Sequence, residues 1–143
     1  MYRIGAQDEL VFDGGSFVVD AQGQIVGQAA YFTESALDFV LHDQGPVSSL
    51  FAAIPEPDEA LYQALVLGVS DYFKKTGFQR ALLGLSGGID SALTLAIAVD
   101  ALGADRVHAV MMPYRYTADI SVEDAKRQAE KLGCEFSVVS IES

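Results

Sequence analysis

Residues 81–92, ALLGLSGGIDSA, leave this chain few local structures to adopt. Ala81 to Leu85 form a short apolar run and read as a buried strand. Ser86, Gly87 and Gly88 make a small, polar turn. An apolar helical pattern begins at Ile89, Asp90 and Ser91. A strand that turns through glycines into a helix aims several backbone N–H groups at one point. The helix N-terminus adds partial positive charge there, so the point suits a phosphate. Glycines let the backbone approach an anion closely, and the serine hydroxyls add donors.

Asp90 is a poor phosphate ligand by itself, and fits such a loop if a Mg²⁺ ion stands between it and the phosphates. The bland alternative is a glycine-rich turn with Asp90 as an ordinary helix cap. That alternative does not account for the paired serines and glycines. The lysine-bearing phosphate loop, G-x-x-x-x-G-K-[ST], is excluded, because no lysine lies between Lys75 and Lys126.

The 143 residues suffice for one ordinary domain, and a 50% hydrophobic content argues against general disorder. A formal charge of −11 disfavours nucleic acid and anionic membrane as partners. It does not disfavour a nucleotide held by local dipoles and a metal. The single cysteine, Cys134, excludes an internal disulfide and fits a reducing cytoplasm. No apolar run reaches membrane-spanning length, and the first residues lack a leader pattern.

The chain reads as two halves. In residues 1–54 short strands are expected at 9–12, 16–19, 24–27 and 36–41, with turns at Gly14-Gly15 and Ala21-Gln22-Gly23. Such a segment leaves a sheet edge and one face uncovered. Ile54-Pro55-Glu56-Pro57 reads as a linker. In residues 55–143 helices are expected over 58–76, 90–102 and 122–132, and strands over 81–85, 106–112 and 135–141. Gly77 and Gly133 suit helix ends, and Ser121 with Asp124 resembles a capping box. Alternating strands and helices imply a parallel sheet with flanking helices, whose ligands bind at the carboxyl ends of strands. Ser86–Ser91 and Met111–Thr117 then face one crevice.

Ser-Gly-Gly-Ile-Asp-Ser at 86–91 resembles the pyrophosphate loop of the ATP pyrophosphatases. The flanks narrow the likeness. Residues 62–92 and 100–133, with Met112-Pro113, Arg115-Tyr116 and Ser121, resemble the synthetase domain of the glutamine-dependent NAD⁺ synthetases. Residues 5–19, GAQDELVFDGGSFVV, resemble the late strands of the nitrilase-like glutaminase domain of the same enzymes. Ala6 stands where a second glycine is expected, Arg3 where asparagine is common, and Tyr114 and Thr117 where serines are frequent.

The resemblance implies an α/β fold. Residues 1–54 would be the β-rich end of a carbon–nitrogen hydrolase (nitrilase-like) sandwich. Residues 55–143 would be the start of a Rossmann-like sheet of the adenine-nucleotide α-hydrolase type. It implies a ligase that adenylylates deamido-NAD⁺ with ATP and then amidates it with ammonia, supplied by glutamine. It places ATP contacts on Gly84, Leu85, Ser86, Gly87, Gly88, Ile89, Asp90 and Ser91, with Asp90 as the Mg²⁺ ligand, and makes Met112 to Tyr116, Met112 and Arg115 above all, part of a second ATP-side loop neighbouring the nucleotide. No catalytic residue is assigned. The glutaminase set of Glu, Lys and Cys is expected upstream of residue 1 and the later synthetase segments beyond Ser143, so the chain is expected to be an internal fragment or a truncated product, inactive alone. Assembly through the synthetase domain and a cytoplasmic location are also implied. The competing readings are another ATP-pyrophosphatase amidotransferase and a non-catalytic nucleotide-binding remnant. Cys134, at the start of an expected buried strand and without a Lys–Glu set, is expected to be a small buried hydrophobe, His108 a satisfied core or edge residue of its strand, and His42 a solvated one. The Glu123-Asp124 pair is expected to charge a helix start, and Arg115 to make a surface ion pair if it does not touch phosphate.

Overall fold

A computed structural model describes residues 3–48 and 50–142. Two compact units divide between Asp71 and Tyr72, within one helix. The first holds three antiparallel hairpins. Strand β1 (Ile4–Gln7) pairs with β2 (Leu10–Asp13), β3 (Phe17–Val19) with β4 (Ile25–Gln28), and β5 (Val40–His42) with β6 (Gly45–Val47).

The Asp20 turn forms where its residues predict it. Asp20 Oδ1 accepts from the N–H groups of Gln22 at 2.9 Å and Gln24 at 2.8 Å, so one carboxylate closes the β3–β4 hairpin. Gly14 and Gly15 do not form a hairpin turn. Strand β2 pairs back on β1, a strand absent from the expected set, and the two glycines carry the chain onward at positive φ. Gly15 passes so close to the Tyr31 ring that no side chain fits. Buried Gln28 ties the segment together, its Nε2 donating to the carbonyls of Gly15 at 2.9 Å and Ala29 at 3.2 Å. The strand expected over 36–41 shrinks to β5, and its partner β6 carries Pro46, which the short hairpin tolerates because an edge position needs no N–H. Helix α1 (Pro57–Thr76) contributes Asp71, whose carboxylate accepts the Ala6 N–H at 2.6 Å.

The second unit is a three-stranded parallel sheet in the order β7 (Ala81–Gly84), β8 (Val107–Met111), β9 (Glu135–Val138). Helix α2 (Ile89–Leu102) crosses from β7 to β8, and α3 (Asp119–Leu132) from β8 to β9. The helices pack on each other and on the sheet, which places them on one face. That face of β8 presents Val107, Ala109 and Met111, all buried, against Leu95, Ala98 and Leu102 of α2 and Ala125 and Ala129 of α3. Alanine at 109, 125 and 129 lets helix and sheet approach closely. The end of α1 packs Tyr72 and Phe73 against Phe78, ring centroids 6.3 and 6.1 Å apart. Arg106 donates from Nε to Gln79 O at 2.7 Å and from Nη2 to Phe78 O at 3.0 Å, fastening the entry of β7 to the start of β8.

Gly133 ends α3 in the left-handed region at φ 72°, and Gly77 follows α1 at φ 80°. The capping box does not form. Helix α3 starts at Asp119 behind Ala118, without a side-chain cap. Ser121 already lies in the first turn, its N–H donating to Ala118 O at 2.9 Å. Asp124 instead meets Arg127 at 2.6 Å, an (i, i+3) pair, and so does not charge the helix start. A pattern three residues apart is satisfied equally by a cap and by one helical face.

Leu95 is wholly buried under the sheet. Leu95→Ala should cost about 3 kcal/mol of stability. Urea denaturation measures it; a loss below about 1 kcal/mol would mean that α2 does not seat on β8 as described.

Candidate nucleotide site

Strand β7 ends at Gly84, and Leu85 continues its ladder by donating to Val110 O at 2.9 Å. The chain then leaves the sheet at its carboxyl edge. Gly87 takes φ +82°, and a Cβ there would overlap the Ser121 carbonyl oxygen and stand 3.0 Å from its carbonyl carbon. Glycine is required twice at this point, for its dihedral and for its lack of bulk. Gly88 is the N-cap of α2, at φ −83° and ψ 162°, and makes no side-chain cap bond. Asp90 lies in the first helical turn and is exposed; it does not cap the helix, which removes the bland reading of this residue.

The serine hydroxyls bond one another. Ser86 Oγ and Ser91 Oγ are 3.0 Å apart. Ser91 Oγ accepts the Ser86 N–H at 3.2 Å and donates to Gly88 O at 3.0 Å. Ser86 Oγ accepts the Gly88 N–H at 3.3 Å. The N–H groups of Gly87, Ile89, Asp90 and Ser91 have no acceptor among the described residues, as expected for a loop running into a helix start. The result is a small nest of donors at the positive end of a 14-residue helix.

Beside it lies a cleft of about 550 Å³. Its wall runs from Gly84, Leu85 and Ser86 across Met111 and Met112 to Tyr116, Thr117, Ala118 and Ser121. The carboxyl ends of β7 and β8 therefore share one crevice, as the alternation of elements predicts. Of the sequence-derived site residues, Gly84, Leu85, Ser86 and Met112 form this wall. Gly87, Gly88, Ile89, Asp90 and Ser91 form the loop next to it, with the Ile89 side chain turned to solvent. Arg115 stands outside the wall, its guanidinium over the rings of Tyr114 at 5.0 Å and Tyr116 at 5.7 Å. The sequence places Tyr116 and Ser121 in a second ATP-side loop by resemblance, and Met111 and Thr117 in the crevice segment without a contact; Ala118 goes unremarked, and the cap expected of Ser121 does not form. The sharp end of the apolar run at Met111 is the signal that could have found them.

The other chemistry-bearing residues are accounted for. His108 Nε2 lies 2.9 Å from Ser137 Oγ on the neighbouring strand. Cys134, expected to be buried, is only half-buried, because it stands in the connection between α3 and β9 rather than in the strand; what burial it has pushes its thiol pKa up. A raised thiol pKa leaves less thiolate at neutral pH. Cys134 should therefore react with iodoacetamide more slowly than a free thiol, with the rate climbing only at alkaline pH; a rate at pH 7 equal to that of a free thiol would contradict this. Among the described residues no group of three His, Cys, Asp or Glu side chains could hold a metal unaided, and no helix is long and apolar enough to cross a membrane.

A parallel α/β layer with a glycine nest at its carboxyl edge defines a nucleotide- or phosphate-binding class of domain. The model of the NAD synthase family matches residues 61–143, and the chain belongs to that family. It is 46% identical over 141 residues to the glutamine-dependent NAD(+) synthetase of Acinetobacter baylyi, covering 97% of this chain and 26% of that protein. The structure of the glutamine-dependent NAD⁺ synthetase from Acinetobacter baumannii in complex with adenosine diphosphate superposes with a TM-score of 0.92 at 48% identity, covering 98% of this chain and 27% of that one. The NH3-dependent NAD synthetase from Campylobacter jejuni superposes with a TM-score of 0.53 at 32% identity, over 57% of this chain and 35% of that one. The chain thus spans about a quarter of the length of the glutamine-dependent relatives it matches.

Replacing Gly87 tests the loop's seat directly. Gly87→Ala adds left-handed strain and a backbone overlap, and should lower stability by about 1–3 kcal/mol in urea denaturation. Unchanged stability would show that the loop does not depend on its seat against Ser121.

Proposed function

We propose that the Ser86–Ser91 loop holds the phosphates of ATP, and that the protein carrying this chain forms NAD⁺ from deamido-NAD⁺ with ammonia taken from glutamine. The observation that carries the reading is the donor nest: Gly87 turns the backbone at positive φ, and N–H groups without an acceptor among the described residues gather at the start of α2. The likeness to an ADP-bound synthetase over 98% of the chain supports it.

In the reaction proposed, the nicotinate carboxylate attacks the α-phosphorus of ATP and pyrophosphate leaves. Ammonia then attacks the acyl adenylate and AMP leaves. Negative charge gathers on the departing pyrophosphate in the first step. The N–H groups of Gly87, Ile89, Asp90 and Ser91 and the α2 dipole are in place to stabilise that charge without breaking a bond of their own. Ser86 and Ser91 supply hydroxyl donors to the same oxygens once Ser86 turns from Ser91 Oγ and Ser91 from Gly88 O. A Mg²⁺ ion would neutralise phosphate charge and polarise the bond being broken. Asp90 suits it: Mg²⁺ is commonly held by one or two carboxylates, with phosphate oxygens and water completing the set, and Asp90 is the exposed carboxylate of this loop.

The two halves are read accordingly. Residues 1–54 form the end of a carbon–nitrogen hydrolase (glutaminase) domain and residues 55–143 the beginning of the synthetase domain. The ammonia-dependent relative covers 57% of this chain and the glutamine-dependent one 98%, which fits an N-terminal half that belongs to glutamine use. Self-association through the synthetase domain and a cytoplasmic location complete the reading.

Asp90→Asn in the complete gene product should lower NAD⁺ formation about 10²-fold or more while glutaminase turnover persists. Assays with deamido-NAD⁺, ATP, Mg²⁺ and either glutamine or ammonia check this. Unchanged synthesis would remove the metal from Asp90, and a wild-type protein that forms no NAD⁺ from either nitrogen source would overturn the function.

A further inference from the structure

The phosphate loop accounts for one end of the cleft and leaves the other without a role. That end is built by the turn 114–117. Thr117 donates its N–H to Tyr114 O at 2.8 Å, and its hydroxyl accepts the Tyr114 N–H at 2.9 Å, closing the turn from both sides. The rings of Tyr114 and Tyr116 meet edge-on, with centroids 5.7 Å apart. The guanidinium of Arg115 lies over both. Tyr116 thus lines the cleft with a ring that is 82% exposed yet braced by a second ring and a cation. An exposed aromatic ring held from behind is preorganised to stack. The wall between it and the phosphate loop is apolar, formed by Met111 and Met112. A nucleotide with its phosphates on Ser86–Ser91 has its sugar and base left to lay along that wall.

We propose that Tyr116 is the stacking platform for the base of the bound nucleotide, and that Tyr114 and Arg115 brace the platform without touching phosphate. The proposal rests on the reading of the loop as an ATP site. It assigns Arg115 a positioning role, because its guanidinium is engaged with two rings and the residue does not line the cleft. It also gives the two departures from the expected serines, Tyr114 and Thr117, one purpose: the first supplies the supporting ring and the second locks the turn.

The test compares ATP with tripolyphosphate, which has the phosphates and lacks the base, as Mg²⁺ complexes binding to the complete gene product. Base–aromatic stacking predicts that Tyr116→Ala raises the Kd for ATP about tenfold and leaves that for tripolyphosphate unchanged. Tyr116→Phe should bind both as wild type does. Tyr114→Ser and Arg115→Met should each weaken ATP a few-fold and spare tripolyphosphate. In turnover, Tyr116→Ala should raise KM for ATP with kcat retained. Equal loss of both ligands in Tyr116→Ala, or no loss of either, overturns the platform; loss of tripolyphosphate in Arg115→Met overturns the brace. A wild-type protein that binds neither ligand overturns the ATP reading itself.

Discussion

The seat of Gly87 on the carbonyl of Ser121 is the contact on which the rest of the second unit's arrangement depends. Two backbones meet there with no side chain between them. The contact joins the loop after β7 to the first turn of α3, and so places the ends of two βα crossovers side by side. Everything that makes the cleft follows from that juxtaposition. The start of α2 lies beside it, Met111 and Met112 line the space, and the turn before α3 walls it. Any residue larger than glycine would push the two crossovers apart.

The small side chains beneath serve the same end. Ala109, Ala125 and Ala129 are fully buried, which draws α3 down onto β8 and brings its first turn within reach of the loop. The core is therefore more than a source of stability. Its residue volumes set the height at which Ser121 sits. Arg106 acts on the opposite edge of the sheet, where two side-chain donors to the carbonyls of residues 78 and 79 keep the entry of β7 beside β8.

Much of this was legible in the chain, because the signals were local. The apolar runs of β7 and β8 are short and end sharply, and Gly77 and Gly133 mark helix ends through a backbone conformation that other residues resist. The three parallel strands and the crevice at their carboxyl ends followed from alternation alone. Pairing choices were less legible. Nothing in Leu10–Asp13 says that it turns back on Ile4–Gln7, since the hairpin closes through Asp8 at positive φ and no glycine marks it. Ser121 misled because a serine followed by an acid three residues later is as common on a helical face as at its start. The stacking of Arg115 on two tyrosines was hidden for another reason: a cation flanked by rings reads equally well as a phosphate ligand or a surface ion pair until the turn is seen closed by Thr117.

The hydroxyls of Ser86 and Ser91 fill the nest with bonds of their own. For the hydroxyls, binding an anion is therefore an exchange, in which a new bond to a ligand oxygen replaces one already made. The N–H groups of Gly87, Ile89, Asp90 and Ser91, which have no acceptor among the described residues, would give up nothing. The loop's internal bonds hold its shape without a ligand, so that binding need not first order the backbone.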